Sequence, residues 1–243
     1  MLRHVDLCSG IGGFALGLEW AGLSKPIMFC DNEKWCRQIL AKHWPDVEIK
    51  NDVKELADDP KRLVPDCDIL TAGYPCQPFS VAGKQKGDQD DRHLWPYLLK
   101  IVKQKRPTWC VFENVVGHVA LGLDKVLLDL ETAGYASRPL VIPAGGVDAR
   151  HRRYRVWIVA HTNGEQRERS GKESVYGQRN VSIESRRGGA YLPHGWEPEP
   201  GLGRVATGVP RRVDRIKGLG NSVVPQIAEK IGLAIKAQEN IDD

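Results

Sequence analysis

No run of apolar residues in this 243-residue chain approaches the roughly 18 that a membrane-crossing helix needs. The opening Met1-Leu2-Arg3-His4-Val5-Asp6 also lacks the apolar stretch of a secretory signal, so the chain is expected to be soluble and cytoplasmic, with no membrane partner. Its six cysteines, Cys8, Cys30, Cys36, Cys67, Cys76 and Cys110, form no CxxC pair, which excludes a zinc knuckle of that spacing. Reduced thiols and no metal site are the expectation. No internal repeat is present, and no GxGxxG fingerprint.

Charge is present but unevenly spread. The formal net charge is +4, yet residues 138–217 hold 16 of the 35 Lys and Arg and only 8 of the 31 Asp and Glu. The other residues are therefore net acidic. Most of those 16 cations are Arg, whose planar fork suits phosphate and base edges. A solvated loop with scattered charge fits the same numbers.

Short apolar runs alternate with helical patterns over the first 160 residues. Leu2 to Cys8, Ile27 to Cys30, Cys67 to Ala72, Trp109 to Phe112 and Val156 to Ala160 read as buried strands. Phe14 to Ala21, Glu33 to His43, Leu94 to Gln104 and Leu123 to Thr132 carry apolar residues three and four apart. Such alternation predicts an α/β fold, a mostly parallel, doubly wound sheet with helices on both faces. From His161 to Arg204 the pattern stops, and an irregular insertion is expected. Periodicity returns at Val224, Ile227, Ala228, Ile231 and Ile235, a closing helix that needs a core and is expected to return to the sheet.

Three strand ends carry chemistry. After the first strand, Asp6-Leu7-Cys8-Ser9-Gly10-Ile11-Gly12-Gly13-Phe14 places glycines where a strand turns into a helix, bringing backbone amides close to a ligand. A plain structural turn looks the same, but Asp31 after the second strand and Asp52 after the next apolar stretch outline an adenosine-sized cleft with it. Next, Gly73-Tyr74-Pro75-Cys76-Gln77-Pro78 holds one thiol between two prolines. Cys67 and Cys110, inside apolar strands, suit a structural role better. The following strand ends in Glu113-Asn114-Val115, where a partly apolar cleft would raise a carboxyl pKa and make a general acid. Arg153 and Arg155 lead into the last core strand.

In motif order the chain resembles the DNA (cytosine-5) methyltransferases. Asp6 to Gly22 is similar to the family's cofactor motif, Gly73-Tyr74-Pro75-Cys76-Gln77 to its Pro-Cys motif, and Glu113-Asn114-Val115 to its ENV motif. His151-Arg152-Arg153-Tyr154-Arg155 resembles the Q-R-R-x-R motif, and Gly220-Asn221-Ser222-Val223-Val224-Pro225 the closing GNSV motif. The resemblance implies a Rossmann-like core using S-adenosyl-L-methionine, held by Asp6, Ser9, Gly10, Gly12, Gly13, Asp31, Asp52, Asn221 and Ser222. It implies a cytosine flipped from double-stranded DNA, with Cys76 as nucleophile, Glu113 as acid at N3, Arg155 on O2 and Arg153 in support. Cys8 stands where the family often has a Phe against the adenine, so that stacking is expected to be weaker or supplied by another residue.

The same resemblance divides the chain into a catalytic and cofactor core (1–160), a reduced target-recognition segment (161–204) and a returning segment with the closing helix (205–243). Gln77 to Asp91 would be a lid, and Tyr191 and Trp196 anchors of the recognition segment. A monomer encoded by a bacterium or phage is expected, with DNA methylation of the restriction-modification kind. Two alternatives stay open: the same chemistry on tRNA, or a DNA-binding remnant with little turnover. The tRNA branch is expected to carry a Cys-Phe-Thr signature in the insertion, and none occurs here.

Overall fold

The protein is described from a computed structural model covering residues 1–75, 94–147, 149, 153–162 and 218–239. Cys76, the Gln77 to Asp91 stretch, His151, Arg152 and nearly all of the expected recognition segment, with Tyr191 and Trp196, lie outside the described residues.

Seven strands form one sheet in the order β3-β2-β1-β4-β5-β7-β6. They are β1 (Leu2–Leu7), β2 (Ser24–Cys30), β3 (Glu48–Lys50), β4 (Ile69–Gly73), β5 (Trp109–Val115), β6 (Tyr135–Pro143) and β7 (Tyr154–Thr162). The first five strands run parallel, and β7 is antiparallel to both β5 and β6. Five strands are expected from apolar runs, and the two additional ones are edges. β3 is three residues long with no buried side chain, and β6 carries Pro139 and Pro143 on a strand bonded on one side only, where a missing N–H is tolerated.

Between the strands lie α1 (Gly13–Trp20), α2 (Lys34–His43), α3 (Val53–Asp58), α4 (Pro60–Leu63), α5 (Trp95–Lys105), α6 (His118–Leu121) and α7 (Leu123–Thr132), followed by the closing α8 (Pro225–Glu239). Strand alternation sorts the core into two layers. Val5, Leu7, Leu70, Ala72, Phe112 and Ile158 pack against α3, α5 and α7. On the opposite face Ile69, Val111 and Trp157 pack against Phe14 and Leu18 of α1 and Ile227, Ile231 and Ile235 of α8. Burying each of those three isoleucines contributes roughly 2 kcal/mol.

The closing helix is seated by an absence of side chains. A Cβ on Gly17 of α1 would collide with the Pro225 carbonyl oxygen and stand 2.7 Å from Ala228 Cβ. On the other helix, a Cβ on Gly232 would stand 2.9 Å from Ala21 Cβ. The two helices therefore touch backbone to backbone, which places the Asn221-Ser222 turn beside the strand ends. Among the described residues no helix is long and apolar enough to cross a membrane.

Candidate active site

The chain leaves β1 toward β2 on one side of the sheet and returns to β4 on the other. Between the carboxyl ends of β1 and β4 the connections diverge, and an α/β sheet opens a crevice at such a point. A cleft of about 820 Å³ lies there.

One half of the cleft is shaped by the glycine turn. Cys8 takes a φ of 51° and Gly12 a φ of 87°, which folds the chain sharply between β1 and α1. The Ser9 hydroxyl donates to the Asp6 carbonyl at 2.6 Å and accepts from the Cys30 N–H at 3.2 Å, locking the turn to β2. Asp31 then closes it: Oδ2 accepts from Gly10 N–H at 2.8 Å and Oδ1 from Glu33 N–H at 2.9 Å. Burial raises the Asp31 pKa, against the pull of these two amides. Asp52 accepts from Lys54 N–H at 2.9 Å, capping α3, and faces the same cleft.

Gly10, Asp31, Asp52 and Asn221 thus all line the cleft. Gly12 and Gly13 stand behind it, where Cβ atoms would strike the Trp44 ring and the Val223 carbonyl. Ser222 also stands behind, its hydroxyl donating to the Leu219 carbonyl at 3.0 Å.

Asp6 lies elsewhere. Val5 and Leu7 enter the α5-side core, so the intervening Asp6 turns to the α1 and α8 side, fully buried and outside the cleft lining. Its Oδ1 accepts from the Thr71 hydroxyl at 2.5 Å, and His4 Nε2 meets the same hydroxyl at 2.8 Å. Burial raises the Asp6 pKa to about 8 and lowers that of His4 to about 3. Asp6, expected at the cofactor, thus lies in an internal chain of hydrogen bonds, because strand period two turns it to that face.

The other half of the cleft holds the acid. Gly73 of β4 pairs with Glu113 of β5, so the chain exits toward Cys76 directly beside this carboxyl. Glu113 Oε1 lies 3.0 Å from Arg155 Nε, and both line the cleft. Burial raises the Glu113 pKa to about 7 although Arg155 and Arg153 pull it down. A carboxyl in that range can hold or release a proton near neutrality. Because β7 begins at Tyr154, Arg155 sits within the strand opposite Val115. Arg153 lies just before the strand and outside the cleft lining; its Nη2 donates to the Ser222 carbonyl at 2.7 Å, tying the returning segment to β7.

One lining residue carries no motif signal. Trp35 of α2 faces the cleft near Asp31, with its ring against Gly218. It is the second residue of α2, and a lone aromatic in a helical stretch reads as core. Asn114, of the Glu113-Asn114-Val115 motif, also lines the cleft, and among the described residues its buried Nδ2 has no hydrogen-bond partner. Such an orphaned donor at a cleft wall fits a polar ligand.

The family model of C-5 cytosine-specific DNA methylases matches residues 2–188. The chain belongs to this family. Among methylases with curated sequences, the type II methyltransferase M2.BsuMI of Bacillus subtilis is 33% identical over 168 residues, covering 65% of this chain and 42% of the relative. M.HhaI of Haemophilus parahaemolyticus is 29% identical over 167 residues, covering 67% of this chain and 50% of the relative. The chain therefore spans half or less of the length of these two relatives. Among solved structures, a DNMT2 mutant of Spodoptera frugiperda superposes with a TM-score of 0.59 at 21% identity, covering 71% of this chain and 54% of that one. That likeness shows the Rossmann-like fold of the methylase family.

Proposed function

We propose that the protein is a DNA cytosine-5 methyltransferase that acts on a cytosine flipped out of double-stranded DNA. The observation that carries the reading is the Glu113–Arg155 pair at 3.0 Å, a buried acid poised near neutrality beside the β4 exit that leads to Cys76. The residues also fit the cofactor: Gly10, where a Cβ would meet nothing within 4 Å, with Asp31, Asp52 and Asn221 in the same cleft, would hold S-adenosyl-L-methionine. When bound, it supplies an electrophilic methyl group.

Cytosine C5 is too weak a nucleophile to accept that group unaided. The Cys76 thiolate adds to C6, and the electron pair of the C5–C6 double bond is pushed through the ring toward N3, where Glu113 delivers its proton. C5 becomes enamine-like and able to take the methyl group that the bound donor would supply, with S-adenosylhomocysteine as the leaving group. Arg155 hydrogen-bonds the base at O2 and keeps Glu113 oriented, while Arg153 holds the strand start in place through Ser222. Water then removes the C5 proton, Cys76 leaves as thiolate, and the N3 proton returns to Glu113.

Residues 161–204 would read DNA through their arginines, and with so little chain the target is short or degenerate. We place the enzyme as a cytoplasmic monomer. Transfer of labelled methyl from S-adenosyl-L-methionine to duplex DNA, lost in Cys76→Ser, tests the reading. Label on tRNA and none on DNA would move the substrate. Salt-sensitive DNA binding without any transfer would make the chain a remnant.

A further inference from the structure

We propose that Tyr74 and His118 are a positioning pair that fixes the segment leading to the nucleophile against the segment that follows the acid. The inference rests on the methyltransferase reading and adds two residues to it. Tyr74 follows Gly73 at the end of β4 and stands two positions before Cys76; His118 opens α6, five positions after Glu113. The Tyr74 hydroxyl lies 3.1 Å from His118 Nε2, with both residues buried.

Around this hydrogen bond the tyrosine ring is held on three sides. It meets His118 edge-on at 5.7 Å and Phe112 edge-on at 6.3 Å, and it tilts over Trp95 at 5.7 Å. Trp95 is itself anchored, its indole N–H donating to Asp129 Oδ2 of α7 at 2.8 Å. Burial lowers the His118 pKa, so the ring is neutral at ordinary pH and one of the two groups donates to the other. Pairing between β4 and β5 ends at Gly73 and Glu113, and beyond that point the side-chain bond links the two exits from the sheet.

The chemistry makes such a link useful. Addition of a thiolate at C6 and proton delivery at N3 occur on one ring, so the two groups must keep a fixed separation although they leave the sheet on different strands. A misplacement of about 1 Å costs about a hundredfold in such reactions. A bond between the two exits resists that drift.

Exchange of the cytosine C5 proton with solvent measures this without any methyl donor. Thiolate addition makes C5 basic, C5 takes a solvent proton, the original proton leaves, and elimination restores cytosine. Tyr74→Phe and His118→Phe are each expected to slow exchange about tenfold, with the KM for DNA unchanged. The double variant should be no slower than either single, because one shared bond has been lost. His118→Gln, which keeps a hydrogen-bonding group, should recover part of the rate. Melting temperatures, together with the affinity for S-adenosylhomocysteine, report whether each variant is folded. Exchange at the wild-type rate in folded Tyr74→Phe, or single losses that multiply in the double variant, would overturn the pair while leaving the enzyme reading intact. A wild-type protein that exchanges no cytosine proton in DNA or tRNA would overturn both.

Discussion

Arg155 reaches across from the antiparallel strand β7 to place its Nε 3.0 Å from Glu113 Oε1, so an always-charged group touches an acid whose pKa burial has lifted to about 7. Two forces oppose each other there, and burial wins. The balance has a kinetic consequence. If Glu113 must be protonated to serve N3, single-turnover methyl transfer falls as pH rises through about 7. Removing the guanidinium in Arg155→Gln takes away a force that lowers this pKa, so the alkaline limb shifts to higher pH even as the rate drops. Glu113→Gln should lose about a hundredfold or more and show no such limb. A limb that stays put in Arg155→Gln would separate the pair functionally.

The chain of hydrogen bonds His4–Thr71–Asp6 makes a prediction about stability. Asp6 keeps its proton up to about pH 8 in the folded chain, whereas an unfolded aspartate releases it at about 4. Its contribution to stability is therefore full at low pH and declines as pH rises through that window. His4 behaves in the opposite way. It stays neutral down to about pH 3 when folded but is protonated below about 6.5 when unfolded, so its contribution is lost as pH falls. Urea unfolding of Asp6→Asn, compared with wild type between pH 7 and 8, should lack the wild-type decline. Equal slopes in the two proteins would mean that Asp6 is ionised in the fold.

The helix contact supplies a third prediction. Gly17 faces the Pro225 carbonyl oxygen so closely that even a methyl group cannot enter without moving α8. Gly17→Ala gains helix propensity but forces backbone apart, and the net should be a loss of about 1–3 kcal/mol in urea unfolding. The same variant should weaken binding of S-adenosylhomocysteine, since α8 carries the Asn221 turn to the cleft. Gly145, where a Cβ meets nothing within 4 Å, serves as the control: Gly145→Ala should leave both measurements near wild type.

Much of this site could be read from residue order because its motifs sit where apolar runs stop. Gly10, Asp31, Asp52 and Glu113 each fall where a strand ends or a few residues beyond, and a parallel sheet brings such ends to one edge. What escaped depends on geometry that no local pattern encodes. The face taken by Asp6 follows from the parity of β1 relative to Val5 and Leu7, and the Tyr74–His118 bond joins residues 44 positions apart. β6 stayed hidden because its exposed, proline-bearing edge has almost no buried side chains to make a run.

Trp35 gives the last prediction. Cys8, at the carboxyl end of β1, has no ring to offer an adenine, while Trp35 lines the cleft beside Asp31 with one side of its indole against Gly218. An indole in that place has a face free to stack only if the ligand arrives, and stacking on a partner ring is worth about a tenfold change in affinity. Titrating the protein with S-adenosylhomocysteine should therefore quench tryptophan fluorescence, and Trp35→Leu should abolish most of the quench while raising Kd about tenfold. Trp20, exposed at the far end of α1, is the contrasting site, and Trp20→Leu should preserve both signals. A quench that survives in Trp35→Leu at unchanged Kd would mean that the adenine ring is held by aliphatic contacts alone, leaving Cys8 and Val53 as its neighbours in the cleft.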